Sequence, residues 1–186
     1  MLLSLDTSPD HSFAHALHAG GPNPRHAESL QLYGRFVGSW DVEVTDHLPD
    51  GSMHFARGEW HFGWVLQGMA IQDVWITPAR DVPTDSLPEN YRHRYGTTLR
   101  MYEPEQQQWR ITWVDPLISF YVTQIGRETE HGIVQEGCTG NGIPMRWRFC
   151  DITPDSFRWI GEVADEQGRW HLQLTMRATR KRPLPT

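Results

Sequence analysis

Along most of the chain, apolar and polar positions alternate with a period of two. Trp40, Val42 and Val44 alternate with Asp41, Glu43 and Thr45, as in a strand whose two faces meet different surroundings. Trp60, Phe62 and Trp64 share one face of a second segment, 54–65, and a third covers 70–77. The same pattern predicts strands at 95–103, 108–114, 118–126, 131–138, 144–151, 156–163 and 170–178. Turn formers separate them: Leu48-Pro-Asp-Gly51, Glu103-Pro-Glu105, Asp115-Pro116, Glu130-His-Gly132, Thr139-Gly-Asn-Gly142, Thr153-Pro-Asp155 and Asp165-Glu-Gln-Gly168. Only 78–94, with three prolines, reads as a long loop.

The period changes once. Over 26–37, Leu30, Tyr33 and Val37 recur at helical spacing, and Gly38 ends the pattern. Residues 1–25 show no lasting period and read as a flexible or surface-draped arm; 179–186 read as a tail. Between them, 26–178 form one domain. About ten short strands joined by tight turns favour an antiparallel meander, and closure removes the exposed edges such a sheet would leave. The expected fold is all-β: an antiparallel up-and-down barrel of about ten strands with a short N-terminal helix.

Charge and composition narrow the partners. Of 186 residues, 17 are Lys or Arg and 23 are Asp or Glu, a net charge of −6 that speaks against nucleic acid. Arg177, Arg180, Lys181 and Arg182 form the one basic run and read as solvated. No apolar stretch approaches the ~20 residues of a membrane span, and the N-terminus lacks the features of a signal peptide. A cytoplasmic protein, monomer or homodimer, is expected. Cys138 and Cys150 make no disulfide framework. The 9 Trp are the unusual feature: they suggest wide aromatic walls, either core or cavity lining.

The string Leu32-Tyr-Gly-Arg-Phe-Val-Gly-Ser-Trp40 resembles the helix–GxW opening of calycin-like barrels, and is most similar to DUF1579-type, fatty-acid-binding-protein-like and nitrobindin-like proteins. Leu66-Gln-Gly68, Asp73-x-Trp75, Trp109-x-x-x-Trp113 and Arg146-Trp-Arg-Phe149 extend the resemblance over about 28–178. It implies a barrel that binds a small hydrophobic or amphipathic molecule. By the same resemblance an inward Arg would clamp a carboxylate, and His171, on the last strand, would be a haem ligand.

No GxSxG, HExxH or phosphate loop is present, and Gly137–Gly142 reads as a hairpin turn. Trp40, Trp60, Trp64, Trp75, Trp113 and Trp159, with Tyr102, are the candidate walls. Arg100, Arg146 and Arg148 are the candidate anchors, because the planar guanidinium matches a carboxylate; the alternative is cross-strand pairing with acids. Asp73, His61, Tyr121 and Glu136 are the acid–base shortlist, with a salt bridge to an inward Arg as the alternative for Asp73. His11 and His15 have i,i+4 spacing but no third ligand, so no metal site is assigned. The leading reading is binding of a small, acidic amphipathic ligand without a cofactor. The alternatives are an enzyme moving protons on a hydrophobic metabolite (cyclisation, isomerisation or decarboxylation) and a haem protein using His171.

Overall fold

The alternation is realised as ten strands among the residues described by the computed structural model, 12–83 and 91–182. They are β1 (Gly38–His47), β2 (Met53–Val65), β3 (Ala70–Thr77), β4 (Arg94–Glu103), β5 (Gln108–Asp115), β6 (Phe120–Thr129), β7 (Gly132–Thr139), β8 (Pro144–Cys150), β9 (Ser156–Ala164) and β10 (Trp170–Arg180). Each pairs antiparallel with its sequence neighbours, and β1 pairs with β10 from Trp40↔Arg180 to Asp46↔Leu174, closing the barrel. This is the expected ten-stranded up-and-down barrel.

Closure decides which face of each strand is buried. The inward set includes Trp40, Val42, Val44 and Asp46 on β1, Trp60 and Phe62 on β2, Asp73 and Trp75 on β3, and Thr98 and Arg100 on β4. Trp109, Ile111, Trp113 and Asp115 continue it on β5, and Met145, Trp147 and Phe149 on β8. On β10 the parity changes. A bulge between Leu172 and Leu174 puts Leu174, Met176 and Ala178 inside, whereas Trp170 and Leu172, which strict alternation would place on the same face, are exposed. The inserted residue is Gln173, and one inserted residue swaps every side chain before it to the other face.

One end of the barrel is plugged from within the N-terminal segment. Helix α1 (Phe13–Leu17) leads to a 3₁₀ turn (Pro24–His26) and helix α2 (Ala27–Gly34). The helix is shorter than the predicted 26–37, and Phe36 follows it in a turn. Leu30, Tyr33 and Phe36 are buried and pack into an aromatic cluster with Phe62, Trp109, Phe149 and Phe157. The described part of the arm is tied to the β2–β3 hairpin: the Ala19 amide donates to the Trp64 carbonyl (2.9 Å), Leu66 to Leu17 (2.9 Å) and Asn23 to Gly68 (3.0 Å). Gly68 is required there. Its φ is +73°, and a Cβ would lie 2.2 Å from the Gly21 carbonyl oxygen.

The GxW element locks the plug. The Trp40 indole donates to the Phe36 carbonyl (2.7 Å), and the Arg180 guanidinium stacks 4.0 Å over the Trp40 ring. The same guanidinium donates to the carbonyls of Val37 (2.8 Å), Arg35 (2.8 Å) and Pro154 (2.7 Å). The basic run is therefore not a solvated tail from 179 onward. Thr179 and Arg180 continue β10, and Lys181 pairs with Asp41 (3.0 Å). Phe36→Ala should cost about 3–5 kcal/mol, the range for deleting a buried aromatic ring, as read by urea denaturation.

Candidate ligand-binding site

The half of the barrel opposite the plug is not filled. A cavity of about 210 Å³ lies among Trp60, Trp75, Trp113, Trp147 and Trp159, with Met145, Leu174 and Met176 completing the apolar lining. The exposed residues Arg92, Ile118 and Gln173 mark its mouth. Two glycines make the room. A Cβ on Gly96 would lie 2.4 Å from the Trp113 ring, and one on Gly161 would lie 2.6 Å from the Trp159 ring. Both indoles therefore pack directly against a glycine of the wall. Their neighbours meet them edge-on or tilted: Trp113–Trp147 at 6.4 Å, Trp147–Trp159 at 5.4 Å and Trp75–Trp113 at 5.8 Å between centroids.

The polar groups of the lining are mostly committed. At the mouth Arg94 pairs with Asp46 and lies 5.4 Å over the Trp75 ring. At the floor Arg100, 1% exposed, pairs with Asp73 through Nη1, and Asp73 also accepts from the Thr98 amide (3.3 Å). The guanidinium sits over the rings of Tyr33, Phe62 and Phe149 at 5.2, 5.4 and 5.9 Å, so it forms the boundary between plug and cavity. Beneath it, burial pushes the Tyr33 phenol well above its ordinary pKa, and the phenol oxygen accepts from Gln135 (2.9 Å).

Four buried atoms on the lining residues have no hydrogen-bond partner: the indole N–H groups of Trp60 and Trp75, Nε of Arg100 and Oδ2 of Asp115. The other Asp115 oxygen accepts from the Leu117 amide (3.0 Å) in the β5–β6 turn. Unpaired buried polar atoms are costly, and all four belong to residues that line one cavity.

The structure brings Trp60, Trp75, Trp113, Trp159 and Arg100 to this cavity, with Asp73 behind Arg100. The other candidates lie elsewhere. Trp40 is in the plug, Trp64 packs against Gly34 of α2, and Tyr102 contacts Trp109 and His26. Arg146 and Arg148 do not point inward: both bind Glu162 on the outer wall, and Arg146 lies 4.4 Å over Trp170. Their strand alternates, and Met145, Trp147 and Phe149 take the inner face. His61 is on the outer face between Ser39 Oγ (2.9 Å) and Glu59 (2.9 Å). Tyr121 is exposed, and Glu136 pairs with Arg127 outside the cavity. The acid–base shortlist therefore does not converge.

Trp147, Asp115 and the Asp46–Arg94 pair are cavity groups absent from the sequence-based site. Asp115 had a signal: it follows Trp109, Ile111 and Trp113 at period two. His171 sits outside the cavity lining, exposed, with Nε2 on Asp165 (2.8 Å). That bond is the main reason the Asp165 carboxyl is held well below the usual range. No imidazole or thiolate lines the cavity among the described residues, so the lining does not fit the haem that the resemblance implied through His171. The same residues hold no cluster of three His, Cys, Asp or Glu fit for a metal, and His11 lies outside them. Cys138 and Cys150 are free, and no helix there is long and apolar enough to cross a membrane.

The closed ten-stranded meander has the fold of a calycin-like barrel. Among solved structures it is similar to Rv2717c from M. tuberculosis, at 14% identity and a TM-score of 0.62, over 84% of this chain and 99% of that one. It is also similar to the S-type phycobiliprotein lyase CPES from Guillardia theta, at 13% identity and a TM-score of 0.58, over 83% and 93%. At such identities the likeness is one of fold. No protein-family model matches the sequence, and no curated protein matches it.

Two electrostatic predictions follow from the placements. Arg100→Met leaves Asp73 buried without its partner and should cost about 3–5 kcal/mol. The double variant Asp73→Leu/Arg100→Met should lose clearly less; urea denaturation of the three proteins checks this. On the outer wall, hydrogen bonding from Arg80 holds the Glu59 carboxyl below its ordinary range. A depressed folded-state pKa stabilises fully above the unfolded value, about 4.3, and progressively less as pH falls below it. The Tm difference between the wild type and Glu59→Gln should be largest near neutrality and shrink on acidification toward pH 3.

Proposed function

We propose that this barrel binds a small planar molecule in its inner cavity. The observation that carries the reading is the coincidence of five indoles around one unfilled space with buried polar atoms on its wall that no protein group satisfies. An apolar lining with a few inward polar groups is the usual make-up of a ligand site. Size limits the occupant. An apolar cavity of about 150 Å³ holds benzene, and drug-sized ligands occupy about 300–1,000 Å³. At about 210 Å³ the space suits one or two fused rings. The proton-transfer alternative gains no support, because His61 and Tyr121 lie outside the cavity and Asp73 is bound by Arg100.

Naphthalene is the simplest probe, since binding among the indoles must change their fluorescence. Titration should give a saturable change. Gly161→Ala should weaken it about tenfold or more while keeping a cooperative melt, because the added Cβ drives the Trp159 ring off the wall and into the space. Absence of any saturable change in the wild type, with no retained small molecule in native mass spectrometry of protein from its own host, would overturn the reading.

A further inference from the structure

Resting on that reading, we infer that the ligand is a neutral planar heterocycle carrying a ring N–H beside a carbonyl, with the N–H held by Asp115 and the carbonyl by the indole N–H groups of Trp60 and Trp75. The expectation from sequence was an acidic ligand clamped by Arg100. The structure removes its basis. Arg100 is already paired with Asp73 through Nη1, and Arg94 with Asp46, so neither inward guanidinium offers uncompensated charge, although Nε of Arg100 is a third donor, beside the two indoles, that lacks an acceptor. The remaining buried charge on the lining is Asp115, and it is negative.

Asp115 is 1% exposed, and Oδ2 has no partner. A carboxylate desolvated in this way calls for a hydrogen-bond donor and repels a second anion. The indole N–H groups of Trp60 and Trp75 require the opposite, an acceptor, and can act only as donors. The two indoles belong to directly paired residues on β2 and β3. A molecule offering only an acceptor leaves Asp115 unsatisfied; one offering only a donor leaves both indoles unsatisfied. A cyclic amide supplies both on one flat ring, and its face suits the aromatic walls. Its formal neutrality suits a lining whose two inward guanidiniums are already compensated, Arg92 being exposed at the mouth.

The test uses the full chain and four bicyclic probes of similar size: 2-quinolinone, its N-methyl derivative, naphthalene and 2-naphthoate. Affinities are read by tryptophan fluorescence and thermal shift. In the wild type, 2-quinolinone should bind at least tenfold more tightly than each of the other three. Asp115→Leu should bring 2-quinolinone and its N-methyl derivative to within about twofold of each other. Trp75→Phe removes the indole N–H together with part of the aromatic wall; it should weaken 2-quinolinone by a clearly larger factor than it weakens naphthalene. The ranking within the wild type stands as a test even where a variant does not fold. Tightest binding of 2-naphthoate would overturn the inference in favour of an anion clamp at Arg100. Equal binding of naphthalene and 2-quinolinone would overturn it too, leaving a cavity that reads shape alone. Binding of none of the four would defeat both this inference and the cavity reading.

Discussion

The pairing of β1 with β10 is the constraint on which everything else rests. An open ten-stranded sheet would leave two edges and no defined interior. Closure gives every strand an inside and an outside, and so turns simple alternation into a core. Arg180 shows how tightly the seam is tied to the plug. It is the last residue of β10, pairs with Trp40 at the start of β1, stacks on that indole and binds the carbonyls that follow α2. The two ends of the domain and the helix that seals one mouth thus meet at a single side chain. Arg180 is partly exposed but satisfied by several carbonyls at once, a use for which the planar, always-charged guanidinium is suited and a Lys is not.

Inside, the barrel is divided between two tasks. The plugged half holds Tyr33, Phe36, Trp40 and their aromatic neighbours at full burial. The other half holds indoles around a space. Arg100 forms the boundary, with three rings on one side and the cavity on the other. A buried ion pair is a poor source of stability by itself, because desolvation offsets most of the attraction. Its value here is positional. Asp73 and the rings fix the guanidinium, so that the floor of the cavity has a defined height and a defined polar edge.

Period-two alternation, turn residues and the single helical segment were enough to read the strand count and the closed meander from sequence. They were not enough to assign faces everywhere. For Asp73 the alternation offered a salt bridge to an inward Arg as one alternative without saying which Arg, and the structure supplies Arg100 from the neighbouring strand. Arg146 and Arg148 have the same local pattern, yet they face out, because their apolar alternates Met145, Trp147 and Phe149 take the interior. The bulge at Gln173 hid the facing of Trp170 and Leu172: one inserted residue reverses parity, and no local residue type announces it. Asp115 was legible in its alternation but masked by the Asp-Pro turn that follows, which gives the residue an ordinary structural explanation.

The persistence of the cavity is itself informative. At about 24 cal/mol per Å³, an unfilled space of about 210 Å³ costs on the order of 5 kcal/mol relative to a filled core. That is an upper figure, because the mouth is open, yet it is comparable with the whole net stability of an ordinary domain, about 5–15 kcal/mol. Several routes to filling it are short in sequence terms. A methyl at Gly161 or Gly96 would push an indole inward, and an apolar residue at Asp115 would remove a desolvated carboxylate. The chain takes none of them. It combines the two glycines that keep the space with the polar atoms that gain nothing from an empty one, so that a destabilising void and unsatisfied hydrogen bonds occur at the same place. Departures from good packing and good polar satisfaction that coincide in this way are what the proposed ligand site requires, and a core selected only for stability would not keep them together.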